Sequence, residues 1–204
     1  MKRGNGMKEK KIDNRIRRTK RLLREGITQL LSVKSINKIS VRELTDLVEI
    51  NRGTFYLHYK DIYDLVDQLE NELCSEFEDM INQKKISSMD DSLHLFESIC
   101  NFFENNKALC NVLLSDNGDI NFILKIKAIL SRKCFNDFPK NYMDAAKHLY
   151  TPYVASYFES GLIGVLRYWL ADTSDDRMVP NEMAAVMKAL FADGLNGLSE
   201  IKKK

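Results

Sequence analysis

Helix breakers are scarce in this chain. Its 204 residues include nine glycines and three prolines. Set among dense Leu, Ile, Lys and Glu, so few breakers predict an all-helical protein. Long apolar runs are missing as well. No stretch approaches the ~20 residues of a membrane span, and the basic N-terminus, "MKRGNGMKEKKIDNRIRR", has no apolar segment of the kind a signal peptide requires. The expectation is a cytoplasmic protein with no membrane partner. The four cysteines, Cys74, Cys100, Cys110 and Cys134, make no C-x-x-C pair and have no histidine at metal-ligand spacing. They read as reduced thiols in or near the core, with no metal site and no cofactor. His94 and His148 are singletons without a ligand role. Nucleophile–base pairs, converging carboxylates and glycine-rich phosphate loops are all lacking. The Asp90-Asp91 and Asp175-Asp176 pairs read as caps or solvated turns. The chain is therefore not expected to be an enzyme.

The net charge of +2 is small, but it conceals two opposed halves. Residues 1–60 carry 16 Lys/Arg against 6 Asp/Glu, whereas residues 61–204 carry 15 against 23. A basic end on an acidic body points to a polyanion partner for the first 60 residues. Lys2 to Lys11 alone would suit a disordered basic tail, but the positive charge continues into patterned sequence.

From Asp13 to about Ser35, Ile16, Leu23, Ile27, Leu30 and Leu31 form one apolar stripe, and Arg15, Arg17, Arg18, Lys20, Arg21 and Arg24 crowd its first half. Ser40 and Glu43 form a reciprocal capping box opening a second helix that ends near Val48. Asn51 caps a third short helix, about Arg52 to His58. Asp61 and Asp64 suit the start of a long fourth helix with Leu65, Leu69, Leu73, Phe77 and Met80 on one face. Two short helices about three residues apart are a helix-turn-helix arrangement. After a linker, "KKISSMD", helices are expected at about 89–105, 107–115 and 119–136. Two more follow, opened by Pro152 (to about Ala171) and by Pro180 (to about Leu198).

The segment "NRGTFYLHYKD", residues 51–61, packs three rings among positive charges. On a helix at ~100° per residue, Phe55 and Tyr59 share one face and can be buried. Phe55 would plug a core made by Leu30, Leu44 and Val48, and Tyr59 would wedge against the long helix. Arg52, Thr54, Tyr56, His58 and Lys60 remain outside, donors with no acid among them, a composition suited to a DNA major groove. Gly53 lets the backbone approach the duplex closely.

Residues 15–75, and "SVRELTDLVEINRGTFYLHYKDIYDLV" above all, resemble the N-terminal domain of TetR/AcrR-type transcriptional regulators. The resemblance implies an all-α fold: an N-terminal three-helix DNA-binding domain joined by a long helix to a helical ligand-binding and dimerisation domain. It implies a homodimer on double-stranded DNA, at a palindromic operator. Thr54, Tyr56 and His58 correspond to backbone or base contacts on the recognition helix, and Arg42 to a phosphate contact. With the surrounding pattern, the candidate DNA-binding set is Arg42, Thr45, Asn51, Arg52, Gly53, Thr54, Tyr56, His58, Tyr59 and Lys60. The chain departs from the family at Glu49, where the turn usually has Gly, at Thr45, where a small Ala is common, and at Ile62, where a phosphate-binding Lys is usual. If residue 49 is left-handed, Glu costs on the order of 1 kcal/mol there. Lys60 stands two residues before the missing lysine.

The expected organisation is a disordered basic tail over 1–12, the helix-turn-helix domain over 13–60 with the start of the connecting helix to about 75, and the regulatory and dimerisation body over 61–204. "YFESGLIGVLRYWLAD" and "PNEMAAVMKALFADGLNGL" resemble the last two helices of a DhaS-like TetR subgroup. Ala155, Gly161 and Gly164 on one, and Ala184, Ala185, Ala189, Ala192 and Gly197 on the other, would let two copies pack as a four-helix interface over about 152–171 and 180–198. Phe96, Cys100, Phe103, Leu113, Phe122, Ile126 and Tyr157 are candidates to line an effector cavity. The expected function is a repressor released by a small-molecule effector. The alternatives are a DhaS-like activator or regulator gated by a partner protein, and, from another class, a helical adaptor that binds no DNA.

Overall fold

The structure, a computed structural model, describes residues 4–84, 89–137 and 151–199. The larger part of the expected linker and all of His148 fall outside the described residues, as do the side chain of Cys134 and the surroundings of Gly197. The described residues form nine α-helices, one short 3-10 turn and no strand. They are α1 (Gly4–Leu31), the turn Ile36–Lys38, α2 (Val41–Leu47), α3 (Arg52–Tyr56), α4 (Ile62–Asn82), α5 (Met89–Asn105), α6 (Lys107–Leu113), α7 (Ile120–Asp137), α8 (Thr151–Ala171) and α9 (Pro180–Ser199). The chain divides into two compact units, Met1–Glu72 with Asp116–Gly118, and Leu73–Ser115 with Asp119–Lys204.

α1 begins at Gly4, so residues 4–12 are helical where a disordered tail was expected. Hydrophobic periodicity detects only the amphipathic part of a helix. Met7, Lys8, Glu9, Lys10 and Lys11 are good helix formers that prolong it without a stripe. Among the described side chains of α1, Ile16 is 38% exposed and Leu23 is the first that is fully buried.

The first unit is built on Leu23, Ile27, Leu30 and Leu31 of α1, packed with Ile39, Leu44, Phe55, Tyr59, Ile62 and Leu65. Gly26 permits the crossing of α1 and α2. A Cβ there would collide with Val48 Cγ1 and lie 2.9 Å from Leu44 Cδ1. A glycine inside a helix costs about 1 kcal/mol relative to alanine, and close packing explains its presence. Ser40 caps α2, its Oγ accepting from the Glu43 amide at 3.2 Å. The expected reciprocal bond from the Glu43 side chain is not made. That carboxylate pairs with Lys34 instead, because a cation is a stronger partner than a backbone amide.

In the second unit, α9 lies along α5, and α8 meets α5, α6 and α7. Phe77 packs on Phe102 and Phe103, and Phe191 on Phe96 and Phe158. Cys74, Cys100 and Cys110 are buried thiols outside any disulfide. Burial pushes the Cys100 thiol up to about 12, and its Sγ lies 3.7 Å from Met187 Sδ. Arg177 staples the loop before α9. Its guanidinium donates to both Glu104 oxygens at 3.1 and 2.5 Å and to the Trp169 carbonyl at 3.0 Å, and it lies 4.5 Å from the Trp169 ring centre. The Trp169 indole N–H donates to the Met178 carbonyl at 2.7 Å.

The Arg177 hydrogen bonds hold the Glu104 carboxyl below its usual range. A carboxylate depressed by folding adds stability above its unfolded pKa, about 4.3, and that stability is lost as pH falls through the lower folded value. Melting temperature should therefore drop more steeply below pH ~4 in the wild type than in Glu104→Gln. Parallel slopes in thermal melts from pH 7 to 3 would show that the pair does not contribute.

Candidate nucleic-acid interface

The turn between α2 and α3 is left-handed at Glu49, φ 54°. The Ile50 amide donates to the Thr45 carbonyl at 3.0 Å, the long bond of a Schellman motif, and this closes α2 and aims α3. Glutamate thus occupies a conformation that glycine adopts without strain. Glu49→Gly is expected to gain about 1 kcal/mol, roughly 2–4 °C in melting temperature. It also removes an exposed acid from the head, so DNA affinity should rise. Melting curves and gel-shift titrations of the variant check both expectations.

α3 is five residues long and ends at Tyr56 rather than His58. Too short to persist by itself, it is held at both ends and from behind. Asn51 caps it, Oδ1 accepting from the Gly53 amide at 2.7 Å. A Cβ on residue 53 would stand 3.1 Å from that same oxygen, so Gly53 also leaves room for the cap. Phe55 is fully buried, with Tyr59 at 5.7 Å and Tyr56 edge-on at 5.4 Å between ring centres. Leu57 keeps helical angles (φ −72°, ψ −18°), so the spiral runs one residue past α3. Arg52 is exposed, Tyr56 is 58% exposed, and Thr54 and His58 are half-buried.

Lys60 is fixed through its backbone. Its amide donates to Asp64 Oδ2 at 2.7 Å while Asp61 Oδ1 accepts from the Asp64 amide at 2.8 Å. The Lys60 amide, then Gln68, hold the Asp64 carboxyl below its usual range. The Lys60 side chain stays exposed. Arg42, near the start of α2, is exposed and sits 3.6 Å from Asp46. A surface pair of this kind is worth 1 kcal/mol or less, so a phosphate can displace it.

Two of the candidate DNA contacts are corrected by burial. The Thr45 side chain is 1% exposed, and its hydroxyl donates back to the Val41 and Arg42 carbonyls at 2.8 and 3.0 Å. Tyr59 is 3% exposed, and burial, followed by Glu72 and Asp64, raises its phenol to about 12. Both side chains support the recognition element from inside and cannot touch a duplex. Ile62, at the usual lysine position, is buried too. Of the cavity candidates, Phe96, Cys100, Phe103, Leu113, Phe122 and Ile126 are buried, but Tyr157 is 74% exposed on the outside of α8. The residues missed in the sequence are Gly26 and Leu57. The signal for Gly26 was its place inside a strongly patterned helix. Leu57 was hidden by the polar residues on either side of it.

Among the described residues no helix is long and apolar enough to cross a membrane, and no group of His, Cys, Asp or Glu could hold a metal. No curated protein matches the chain. Solved structures do. A TetR-family regulator of Syntrophomonas wolfei is 14% identical over 91% of this chain and 99% of its own, with a TM-score of 0.67. A TetR regulator of Streptococcus agalactiae is 22% identical over 88% and 96%, TM-score 0.59. The dihydroxyacetone kinase operon activator DhaS is 13% identical over 87% and 96%, TM-score 0.54. At such identities these likenesses show the all-helical fold. Residues 90–193, just over half of the chain, match the family model TetR_C_8, described as a transcriptional regulator C-terminal region. With that match over the body and the helix-turn-helix at the head, the chain belongs to the TetR family of transcriptional regulators, proteins that bind DNA and are not enzymes.

Proposed function

We propose that this regulator is a cytoplasmic homodimeric repressor that binds a palindromic operator and leaves it when a small-molecule effector binds. The head, to about residue 60, reads the DNA, and residues 61–204 receive the effector and the second copy. The observation that carries the DNA assignment is the outer arc of α3. Arg52, Thr54 and Tyr56, with His58 and Lys60 just beyond the helix, present donors and no acid, on a segment anchored by buried Phe55 and Tyr59. In this reading Arg42, Asn51, Tyr56 and Lys60 grip phosphates, Arg52, Thr54 and His58 meet base edges, and Gly53 brings the backbone close.

The dimer reading is supported by an exposed face on α8 and α9. Tyr153, Tyr157 and Tyr168 are 76%, 74% and 80% exposed and Leu190 is 60% exposed. Nothing stands within 4 Å of a Cβ placed on Gly161 or Gly164. A second copy would cover these rings and close on the small residues. The effector is assigned to the apolar interior around Phe96, Cys100, Phe103, Leu113, Phe122 and Ile126. An effector that favours the released form by ~3 kcal/mol weakens operator binding about 150-fold.

Salt dependence tests the phosphate grip. Binding to a duplex should lose several decades of affinity between 50 and 200 mM salt if ~6–10 phosphates are neutralised. Lys60→Ala should lower the log–log slope by about one in each half-site and weaken binding to all sequences alike. A slope near zero in the wild type would refute the assignment and favour a helical adaptor.

A further inference from the structure

We infer that Leu57 is a specificity-determining residue of the recognition element and packs against the C5-methyl group of a thymine in the major groove. The inference rests on the DNA-binding role proposed above. At ~100° per residue, Phe55 and Tyr59 point into the core, and Gly53 and Leu57 point the opposite way. Arg52 and Tyr56 lie on one flank, Thr54 and His58 on the other. Leu57 is therefore at the apex of the exposed arc, and it is 80% exposed, more than Tyr56 at 58%. Its helical backbone angles keep it in register with Gly53 one turn earlier. Gly53 has no side chain to hold the helix off, so Leu57 is the side chain aimed most directly away from the core on this arc.

A single exposed leucine on a protein surface needs no explanation. One at the centre of a polar, DNA-facing arc does have a consequence. It can use none of the hydrogen-bonding groups on the base edges, so a guanine or cytosine gains nothing from it. The thymine methyl is the apolar group that the floor of the major groove offers. Leu57 therefore discriminates by burying that methyl, while its neighbours bond to polar edges and phosphates.

The test begins with duplexes selected from a random pool by the full-length protein. They are resynthesised with deoxyuridine replacing thymidine one position at a time, which removes only the methyl. For the wild type, one symmetry-related pair of positions should respond: about fourfold weaker binding for one half-site, the worth of one buried methyl, and about fifteenfold for both. Leu57→Ala, a surface change expected to leave the melting curve in place, should be indifferent to deoxyuridine at those positions. A flat scan in the wild type overturns the role of Leu57 while leaving DNA binding intact. So does a loss that persists unchanged in Leu57→Ala. If the wild type enriches no duplex, the DNA-binding role fails and the role of Leu57 fails with it.

Discussion

Phe55→Ala should lower the stability of the head by about 3–5 kcal/mol, the usual cost of removing a fully buried phenyl ring, and abolish operator binding. The ring is 0% exposed and packs against Tyr59 and Tyr56. α3 has five residues and makes only the opening bonds of a helix, so its persistence depends on that ring and on the Asn51 cap. A loss of this size is a large fraction of the 5–15 kcal/mol that holds a typical domain together. Phe55→Leu is the control: it keeps most of the volume and should cost under about 1.5 kcal/mol if the site repacks. Thermal melts of the two variants check the ranking. A Phe55→Ala protein that melts like the wild type would remove the anchor from the account.

The second large effect is expected at the other end of the chain. Arginine at both Gly161 and Gly164 should leave the fold intact, because apart from the adjoining residues and the helix's own backbone nothing described lies within 4 Å of either Cβ. If the proposed dimer closes over this face, the two charges should also convert it to a monomer, since they would be driven into the contact between copies. A monomer engages one half-site at a time and loses the gain of joint binding, about 10²–10⁴-fold in operator affinity. Sedimentation and gel shift read the two consequences separately. An unaltered dimer with unaltered affinity would place the interface elsewhere, and a collapsed melting curve would mean that these glycines are packed inside the protomer.

Much of the fold was legible because its signals are local. Pro152 and Pro180 mark the starts of α8 and α9 to within a residue, Ser40 and Asn51 cap α2 and α3 as expected, and the 55/59 pairing identifies the buried face of the recognition element. The left-handed residue in the turn was legible from the family's glycine alone, with Glu49 taking that conformation. What escaped depends on contacts between segments. Thr45 is polar enough to suit a groove, and only the folded structure, which buries it and turns its hydroxyl back onto the Val41 and Arg42 carbonyls, puts it inside. Glu43 finds Lys34 nine residues away, a competitor that no capping rule includes. Tyr157 reads as a cavity residue until the helix is placed and its ring faces outward. The Arg177–Glu104–Trp169 staple lies partly in a loop, where periodicity carries no information. The early start of α1 belongs to a different kind of miss, a helix continued by propensity after its apolar pattern has ended.

The most direct measurement is selection from a pool of random duplexes at low ionic strength with the full-length protein, followed by sequencing. The expected result is an enriched inverted repeat whose half-sites are centred about one helical turn apart, ~10–10.5 base pairs or a multiple of it. Enrichment of no motif, or of a single unrepeated one, would contradict a pair of recognition helices reading adjacent grooves.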